Sequence, residues 1–220
     1  MHAPAPLPPS RTAEALGQAL RELRAARGWT LADASARTGL ASSSLSKIEN
    51  GRMSLTFETL TRLADGLGVD LAELFGAVEG THEQVGGRRS ITRSDEGHVV
   101  ASDNYLHRYL AADLLHKRVI PVVSEVLART LEEHGPLSQH AVDEFSIVLE
   151  GSVMLHTDLY APVLLNAGDS AYLDANMRHA YLAMAEGSCR VLSVTATSDL
   201  RRHGLSDPAD AAQGVKLYSP

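Results

Sequence analysis

The chain has 220 residues, of which 44% are hydrophobic, 21% charged and 5% aromatic. This composition supports a folded core and excludes a wholly disordered or fibrous protein, while the length allows one large domain or two small ones. The single cysteine, Cys189, excludes an internal disulfide, and no apolar run approaches the roughly 20 residues that span a bilayer. The first residues also lack the pattern of a secretion signal. We therefore expect a cytoplasmic protein with no membrane partner.

The net charge of −7 at pH 7 argues against binding nucleic acid by bulk electrostatic attraction. This charge is unevenly distributed along the chain. Residues 11–75 hold eight basic and eight acidic side chains, so the negative excess lies after residue 75. If the first part of the chain binds DNA, specific contacts must replace the missing positive charge.

Residues up to 75 have the spacing of short helices separated by glycines. The first helix carries a leucine stripe and ends at Gly28. Thr30 and Asp33 match a capping box at the start of a second helix, which ends at Gly39. The sequence therefore predicts a compact five-helix bundle, whose remaining helical segments are residues 42–50, 60–67 and 71–75.

After residue 104 the hydrophobic period changes to two, which is typical of strands. Turn residues separate these segments at nearly regular intervals, so the pattern indicates an all-β sandwich or barrel. The predicted strands are residues 119–128, 145–150, 153–156, 162–165, 170–173, 180–183 and 190–195.

The segment TGLASSSLSKIENG, residues 38–51, lies between two predicted helices. With its flanking helices, over residues 12–75, it resembles the Xre-type helix-turn-helix family of phage-repressor relatives. In that family the third helix enters the major groove, and the helix before it lies across the DNA backbone. The resemblance also implies that Arg24 and Glu49 form an internal ion pair that ties helix one to the reading helix.

The same resemblance assigns the DNA contacts. Polar side chains of the third helix would face the bases, and groups at the start of helix two and the exit of helix three would hold phosphates. Because a single helix-turn-helix bundle, called here a DNA head, carries no net positive charge, we expect a homodimer that binds paired operator half-sites. The predicted DNA-binding residues are Thr30, Ser42, Ser43, Ser46, Lys47, Asn50 and Arg52.

Two later segments resemble the motifs of the cupin family. They are HAVDEFSIVLEG, residues 140–151, and GDSAYLDANMRH, residues 168–179. Over about residues 105–197 the resemblance implies a double-stranded β-helix barrel. The fuller family pattern has a further histidine where this chain has Ser138. Three metal-type donors remain, namely His140, Glu144 and His179.

Two imidazoles and one carboxylate suit one divalent metal, Zn, Mn or Fe, with open coordination positions. Alternation along a strand would place His140 and Glu144 on the same face. The competing interpretation is a metal-free barrel that hydrogen-bonds an organic effector through His140, Glu144, Tyr172 and His179. Six other polar residues could line the mouth of the pocket, but the surface or a strand edge is the favoured prediction for each, namely Tyr105, His107, Arg108, His116, Arg178 and Tyr181.

These patterns predict a multidomain α and β protein, with a five-helix repressor-like DNA-binding bundle followed by an all-β double-stranded β-helix (cupin) barrel. The predicted parts are a disordered proline-rich arm at residues 1–11, the helix-turn-helix domain at 12–76, a linker and first strand at 77–104, the cupin sensor domain at 105–200 and a tail at 201–220.

The resulting functional hypothesis is a transcriptional regulator, not an enzyme, that binds a double-stranded DNA operator. A small-molecule effector in the barrel would change the placement of the two DNA heads through the linker at residues 76–104. The alternative is a metal-dependent cupin enzyme, a dioxygenase or isomerase, with an attached DNA-binding domain. A third interpretation, an antitoxin-like DNA-binding partner of a second protein, is disfavoured by the large barrel.

Overall fold

The computed structural model describes residues 13–53, 55–75 and 88–196, so the predicted N-terminal arm, the first part of the linker and the C-terminal tail lie outside the described residues. The helices in this part of the chain are α1 Ala13–Ala26, α2 Leu31–Thr38, α3 Ser42–Glu49, α4 Phe57–Leu67, α5 Leu71–Leu74 and α6 Leu131–His134. None of them has the length and apolar composition needed to cross a bilayer. The strands are β1 His98–Ala101, β2 Tyr105–Tyr109, β3 Val119–Val126, β4 Glu144–Glu150, β5 Ser152–Thr157, β6 Val163–Asn166, β7 Ser170–Leu173, β8 His179–Ala183 and β9 Arg190–Ala196.

The predicted helices are confirmed, and local signals set their ends. The hydroxyl of Thr30 accepts from the Asp33 N–H at 3.1 Å, and the Asp33 carboxylate accepts from the Thr30 N–H at 2.8 Å. Gly39 ends α2 in the left-handed conformation, with φ of 66°. Helix α4 packs so closely on α2 that a Cβ at Gly66 would lie only 2.6 Å from the Thr38 Cα.

The predicted barrel is confirmed as two antiparallel sheets. Within the described residues, one sheet has the strand order β1-β2-β3-β9-β4-β7 and the other β6-β5-β8. Val148, Val153 and Val191 are buried in one hydrophobic core to which both sheets contribute. Alternation sets which side chains enter it, since Glu144 in β4 is buried whereas the next residue, Phe145, is 43% exposed.

Two elements were missed by the hydrophobic periodicity, namely strand β2 and the short helix α6. Strand β2 pairs with β3, with His107 opposite Ser124. Its residues alternate too weakly in polarity for the pattern to indicate a strand. The pairing brings Tyr105 and His107 into the barrel wall.

The described second half of the predicted linker is fastened to the barrel. Arg88 donates to the carbonyl oxygens of Leu115 at 2.5 Å and His116 at 3.0 Å. The Ser90 hydroxyl donates to Asp113 Oδ1 at 2.5 Å. The chain from residue 88 onward is therefore part of the barrel rather than a free connection.

One hydrophobic cluster continues from the helical bundle into the barrel. The Phe75 ring stacks on His98 with centroids 4.0 Å apart and lies 4.9 Å from the Tyr109 ring. The Asp70 carboxylate also accepts from the backbone N–H of His116 at 2.9 Å. The helical bundle therefore packs directly on the barrel.

Candidate functional site

The three predicted metal-type donors lie together inside the barrel. His140, Glu144 and His179 offer ligand atoms that are all within 4.8 Å of one another. His140 Nε2 lies 3.1 Å from Glu144 Oε2, and His179 Nε2 lies 3.7 Å from the same oxygen. The three side chains are 7% or 8% exposed. They form a buried cluster that converges on one carboxylate oxygen.

Backbone carbonyls orient both imidazoles. The Nδ1 atom of His140 donates to the Val142 carbonyl at 2.7 Å, and that of His179 donates to the Met177 carbonyl at 3.1 Å. A carbonyl oxygen can only accept, so Nδ1 must carry the proton in each ring. The Nε2 atoms thereby face Glu144 in the arrangement found for metal-ligating histidines.

Hydroxyl groups hold the other oxygen of Glu144. Its Oε1 accepts from Ser193 Oγ at 2.9 Å and from the Tyr181 hydroxyl at 3.2 Å. Burial raises the pKa of Glu144, but the hydrogen bond from His140 and the charges of both histidines outweigh burial and lower it. The carboxylate is therefore ionised at neutral pH, with Oε2 directed at the imidazoles.

The cluster fits either a proton or a divalent cation. Burial alone would lower the pKa of His140, but the hydrogen bond and charge of Glu144 raise it overall. Nitrogen and oxygen ligands lie about 2.0–2.2 Å from zinc, which leaves neighbouring ligand atoms roughly 3 Å apart. The observed distances of 3.1 and 3.7 Å are compatible with that spacing.

The local backbone differs from the prediction that His140 and Glu144 share one strand face. Residues 141 and 142 form a bend, so β4 begins only at Glu144 and His140 precedes the strand. The bend directs the imidazole of His140 back towards the carboxylate. Ser138 exchanges backbone hydrogen bonds of 2.9 Å with His179, so the position of the missing family histidine does adjoin the cluster.

A cavity of about 90 Å³ surrounds the cluster. Tyr105, His107 and Tyr181 line it, contrary to their predicted surface positions. Burial lowers the pKa of His107 from 6.5 to about 4, so this imidazole is neutral at pH 7. The hydroxyl of Thr195 also lines the cavity and has no hydrogen-bond partner within the described chain. An unsatisfied buried hydroxyl is a ready contact for a ligand or water.

Tyr172 does not lie in the cavity, contrary to the prediction that it contacts an effector. Its side chain is 62% exposed, and its hydroxyl donates to Asp143 Oδ2 at 2.6 Å. In the sheet Leu173 lies opposite Glu144 and Tyr172 lies opposite Phe145. Because Glu144 and Leu173 face inward, Tyr172 must face outward.

The candidate DNA-reading face lies on α3. Ser43 and Lys47 are exposed and one helical turn apart, and Arg52 is exposed just beyond the helix. Ser42 and Ser46 are half-buried in the same helix. The ammonium of Lys47 makes no hydrogen bond or ion pair to another described residue, so it is available to DNA.

Two predicted phosphate ligands have their polar groups engaged within the bundle. The Asn50 amide accepts from Arg21 at 2.7 Å and donates to the Ser46 carbonyl at 2.6 Å. The N–H and hydroxyl of Thr30 are both held by Asp33 in the capping box. In this structure Asn50 fastens α3 to α1, and Thr30 serves as a helix cap.

The predicted ion pair behind the reading helix is confirmed. Arg24 donates to both carboxylate oxygens of Glu49, at 2.6 and 2.9 Å, and to the Trp29 carbonyl at 2.8 Å. The Glu49 side chain is only 8% exposed. This bidentate ion pair fixes α3 on α1 and so sets the orientation of the candidate DNA-reading face.

Comparisons with known proteins agree with this architecture. A helix-turn-helix domain family matches residues 15–74, and a cupin domain family matches residues 130–195. The chain is 26% identical over 185 residues to the HTH-type transcriptional regulator PuuR of Escherichia coli (strain K12), a match that covers 80% of this chain and 92% of that protein.

One solved structure shows the same fold. An HTH_3 family transcriptional regulator from Vibrio cholerae has a TM-score of 0.55 at 23% identity and covers 84% of this chain and 96% of its own. The hydroxypropylphosphonic acid epoxidase from S. wedmorenis gives a TM-score of 0.43 at 22% identity, covering 85% of this chain and 100% of that one, which is too low to inform function. The chain thus joins a helix-turn-helix domain to a C-terminal cupin domain, and its similarity to HTH-type regulators supports a DNA-binding transcriptional regulator.

Proposed function

We propose that the cupin barrel of this regulator binds a small-molecule effector and that its occupancy modulates binding to a specific operator. The observation that carries the proposal is the convergence of His140 and His179 on Glu144 beside the unpartnered hydroxyl of Thr195. A barrel filled for stability alone would bury apolar side chains there, since a buried carboxylate costs free energy unless it is paired.

We propose that one divalent metal, Zn, Mn or Fe, is part of this site. His140, Glu144 and His179 would hold the ion, because their Nε2 and Oε2 atoms already face one another. A bound ion would supply open coordination positions for an oxygen or nitrogen atom of the effector. The neighbouring hydroxyls of Thr195 and Tyr181 would then orient that molecule.

The DNA contact in this proposal is made by α3. Ser43, Lys47 and Arg52 present donors and acceptors to the major groove or the phosphates, while Ser42 and Ser46 complete the reading face. Because residues 11–75 carry equal numbers of acidic and basic side chains, a single head releases few counterions on binding. We therefore propose a homodimer that reads two half-sites.

The test uses the full-length chain. Operators are selected from a random DNA pool, and their affinity is measured by fluorescence anisotropy with and without Zn(II) or Mn(II). We expect specific binding, close to one metal equivalent per chain by elemental analysis, and loss of that metal in His179→Ala, since two remaining ligands cannot enclose the ion. Failure to select any sequence would contradict the DNA-binding function.

The metal-dependent enzyme remains the second candidate because two imidazoles and one carboxylate also suit catalysis at a metal. It predicts chemical turnover in the barrel that does not depend on operator DNA. A metal-loaded protein whose operator affinity is insensitive to Glu144→Gln would favour the enzyme.

A further inference from the structure

The cavity around Glu144 is not enclosed by the barrel alone. Three residues at the start of α4, namely Thr56, Phe57 and Glu58, line it together with residues of the barrel. They belong to the helix-turn-helix domain. The opening between His140 and the start of α4, called here the barrel mouth, is therefore formed by both domains.

Phe57 closes the barrel mouth directly over a residue of the cluster. Its ring meets the His140 ring edge to face, with centroids 5.8 Å apart and planes at 86°. On another side it stacks near Tyr109, with centroids 6.4 Å apart. The phenyl ring thus lies between the barrel cluster and the interface between the domains.

The volumes of two neighbouring spaces indicate what must move. The inner cavity of about 90 Å³ accommodates a metal ion and a few waters, whereas pockets for organic ligands usually measure roughly 300–1,000 Å³. Outside lies a cleft of about 450 Å³ between α4, α5 and the barrel. Glu58, Gln139 and His140 line both spaces and separate them, whereas Phe57 lines only the inner cavity and contacts His140. A displacement of Phe57 together with the start of α4 would therefore join the two spaces.

Helix α4 in turn contacts α2 and the turn between α2 and α3. Arg62 of α4 donates to the Gly39 carbonyl at 2.6 Å, at the turn that leads from α2 to α3. The contact of Gly66 with Thr38 leaves no room for a side chain between α4 and α2. A displacement of the start of α4 is therefore transmitted to the helices that contact DNA.

We propose that the effector site is composite: Phe57 and Glu58 of the DNA-binding domain form its outer wall, and an organic effector enters by displacing Phe57. This inference rests on the proposed effector function of the barrel. Entry would shift α4 and with it α3, so the signal passes through direct contact between the domains and does not require the linker. Phe57 would thus block the barrel mouth when no effector is bound, and its displacement would move α4 when an effector enters.

The closure is tested by the reactivity of His140 in the metal-free protein. Diethyl pyrocarbonate acylates imidazole nitrogens that it can reach, and the rate at each histidine is followed by peptide mass spectrometry. Phe57→Ala should accelerate modification of His140 at least fivefold, whereas His156, which does not line the cavity, should react at an unchanged rate. An unchanged rate at His140 in the folded variant would overturn the closure.

A matched pair of variants separates closure from general loosening of the interface. Phe57→Leu and Phe75→Leu each shorten one aromatic side chain between the domains, but Phe75 does not line the cavity. Phe57→Leu should accelerate His140 modification at least twofold, and Phe75→Leu should leave it unchanged. Equal acceleration in both would show that Phe57 has no special position. Circular dichroism verifies folding, and the leucine variant remains informative if Phe57→Ala unfolds.

The coupling is tested by adding selected operator DNA to the metal-free wild type. Saturating DNA should change the His140 modification rate at least twofold, and this dependence should disappear in Phe57→Ala. A wild-type rate that DNA does not change overturns the coupling. If no operator can be selected, the proposed function fails, but the reactivity of the Phe57 variants still decides the closure.

Discussion

The two functional surfaces of this protein differ in how their side chains are held. On α3, Ser43 and Lys47 are exposed, and the Lys47 ammonium has no hydrogen-bond or ion-pair partner within the described chain. In the barrel, Glu144 is buried and accepts hydrogen bonds from Ser193, Tyr181 and His140. A change at the reading face should therefore alter DNA binding alone, whereas a change in the barrel cluster alters stability as well as binding.

Removing the carboxylate at the centre of the barrel should have the largest effect. Glu144→Ala leaves two imidazoles and two hydroxyls without their buried partner, and we expect a loss of about 3–5 kcal/mol in the free energy of unfolding. Urea denaturation of the metal-free protein measures this loss.

Glu144→Gln is the matched control for that variant. Its amide oxygen can still accept from Tyr181 and Ser193, and its NH₂ group can donate to an unprotonated Nε2 of His140. The loss should stay near 1 kcal/mol. Equal destabilisation by alanine and glutamine would contradict the hydrogen-bond network assigned to this carboxylate.

The second largest effect is expected from removing Arg24, which holds the reading helix α3 on α1. Arg24→Ala breaks two hydrogen bonds to the buried Glu49 carboxylate, and we expect a loss of about 2–3 kcal/mol in stability together with weaker operator binding. Arg21→Ala is the control, because the Arg21 side chain is 49% exposed and should contribute less than about 1 kcal/mol. Thermal denaturation and anisotropy distinguish the two variants, and similar losses would refute a special role for Arg24.

The protonation of His107 should make a smaller, pH-dependent contribution. The folded pKa is about 4 and the ordinary value is 6.5, so the unfolded chain binds more protons between these values. Stability should therefore fall as the pH falls from 6.5 to 4, by about 2 kcal/mol from this group. His107→Gln should flatten this part of the stability profile, and a profile identical to that of the wild type would show that His107 is not the group responsible.

The smallest effect on the fold is expected at the reading face. Lys47→Ala should weaken operator binding by about 1 kcal/mol, roughly fivefold, while the free energy of unfolding changes by less than about 0.5 kcal/mol. Arg118→Ala removes the same charge from an exposed position in the barrel and should leave operator affinity nearly unchanged. Equal effects of both variants would show that only net charge matters at α3.

The helical domain was predictable because its signals are local. The capping box of Thr30 and Asp33 and the left-handed Gly39 fix the ends of α2 within a few residues of sequence. The Arg24–Glu49 pair joins positions 25 residues apart and was predicted from the family resemblance. Its geometry confirms that resemblance in atomic detail.

The barrel site was predictable only in part, because strand pairing is long-range. The motifs indicate the donors His140, Glu144 and His179. The direction of the Tyr172 side chain, however, depends on the register between β7 and β4. His107 was assigned to the surface because β2 has too little alternation to be recognised as a strand. Phe57 gave no sequence signal at all, since its role depends on how the two domains pack.

Coupling between barrel occupancy and DNA binding is measured by the operator affinity of the protein with and without Zn(II). An ion held by His140 would reposition the imidazole against which Phe57 packs, so the metal alone should also act on α4. We expect at least a fivefold change in the dissociation constant for the wild type, and a reciprocal change of the same factor in Zn(II) affinity when operator is saturating. Glu144→Gln should bind operator but show no response to the metal. Identical operator affinity of the wild type in the presence and absence of Zn(II) would show that the barrel and the DNA-binding helices are not coupled.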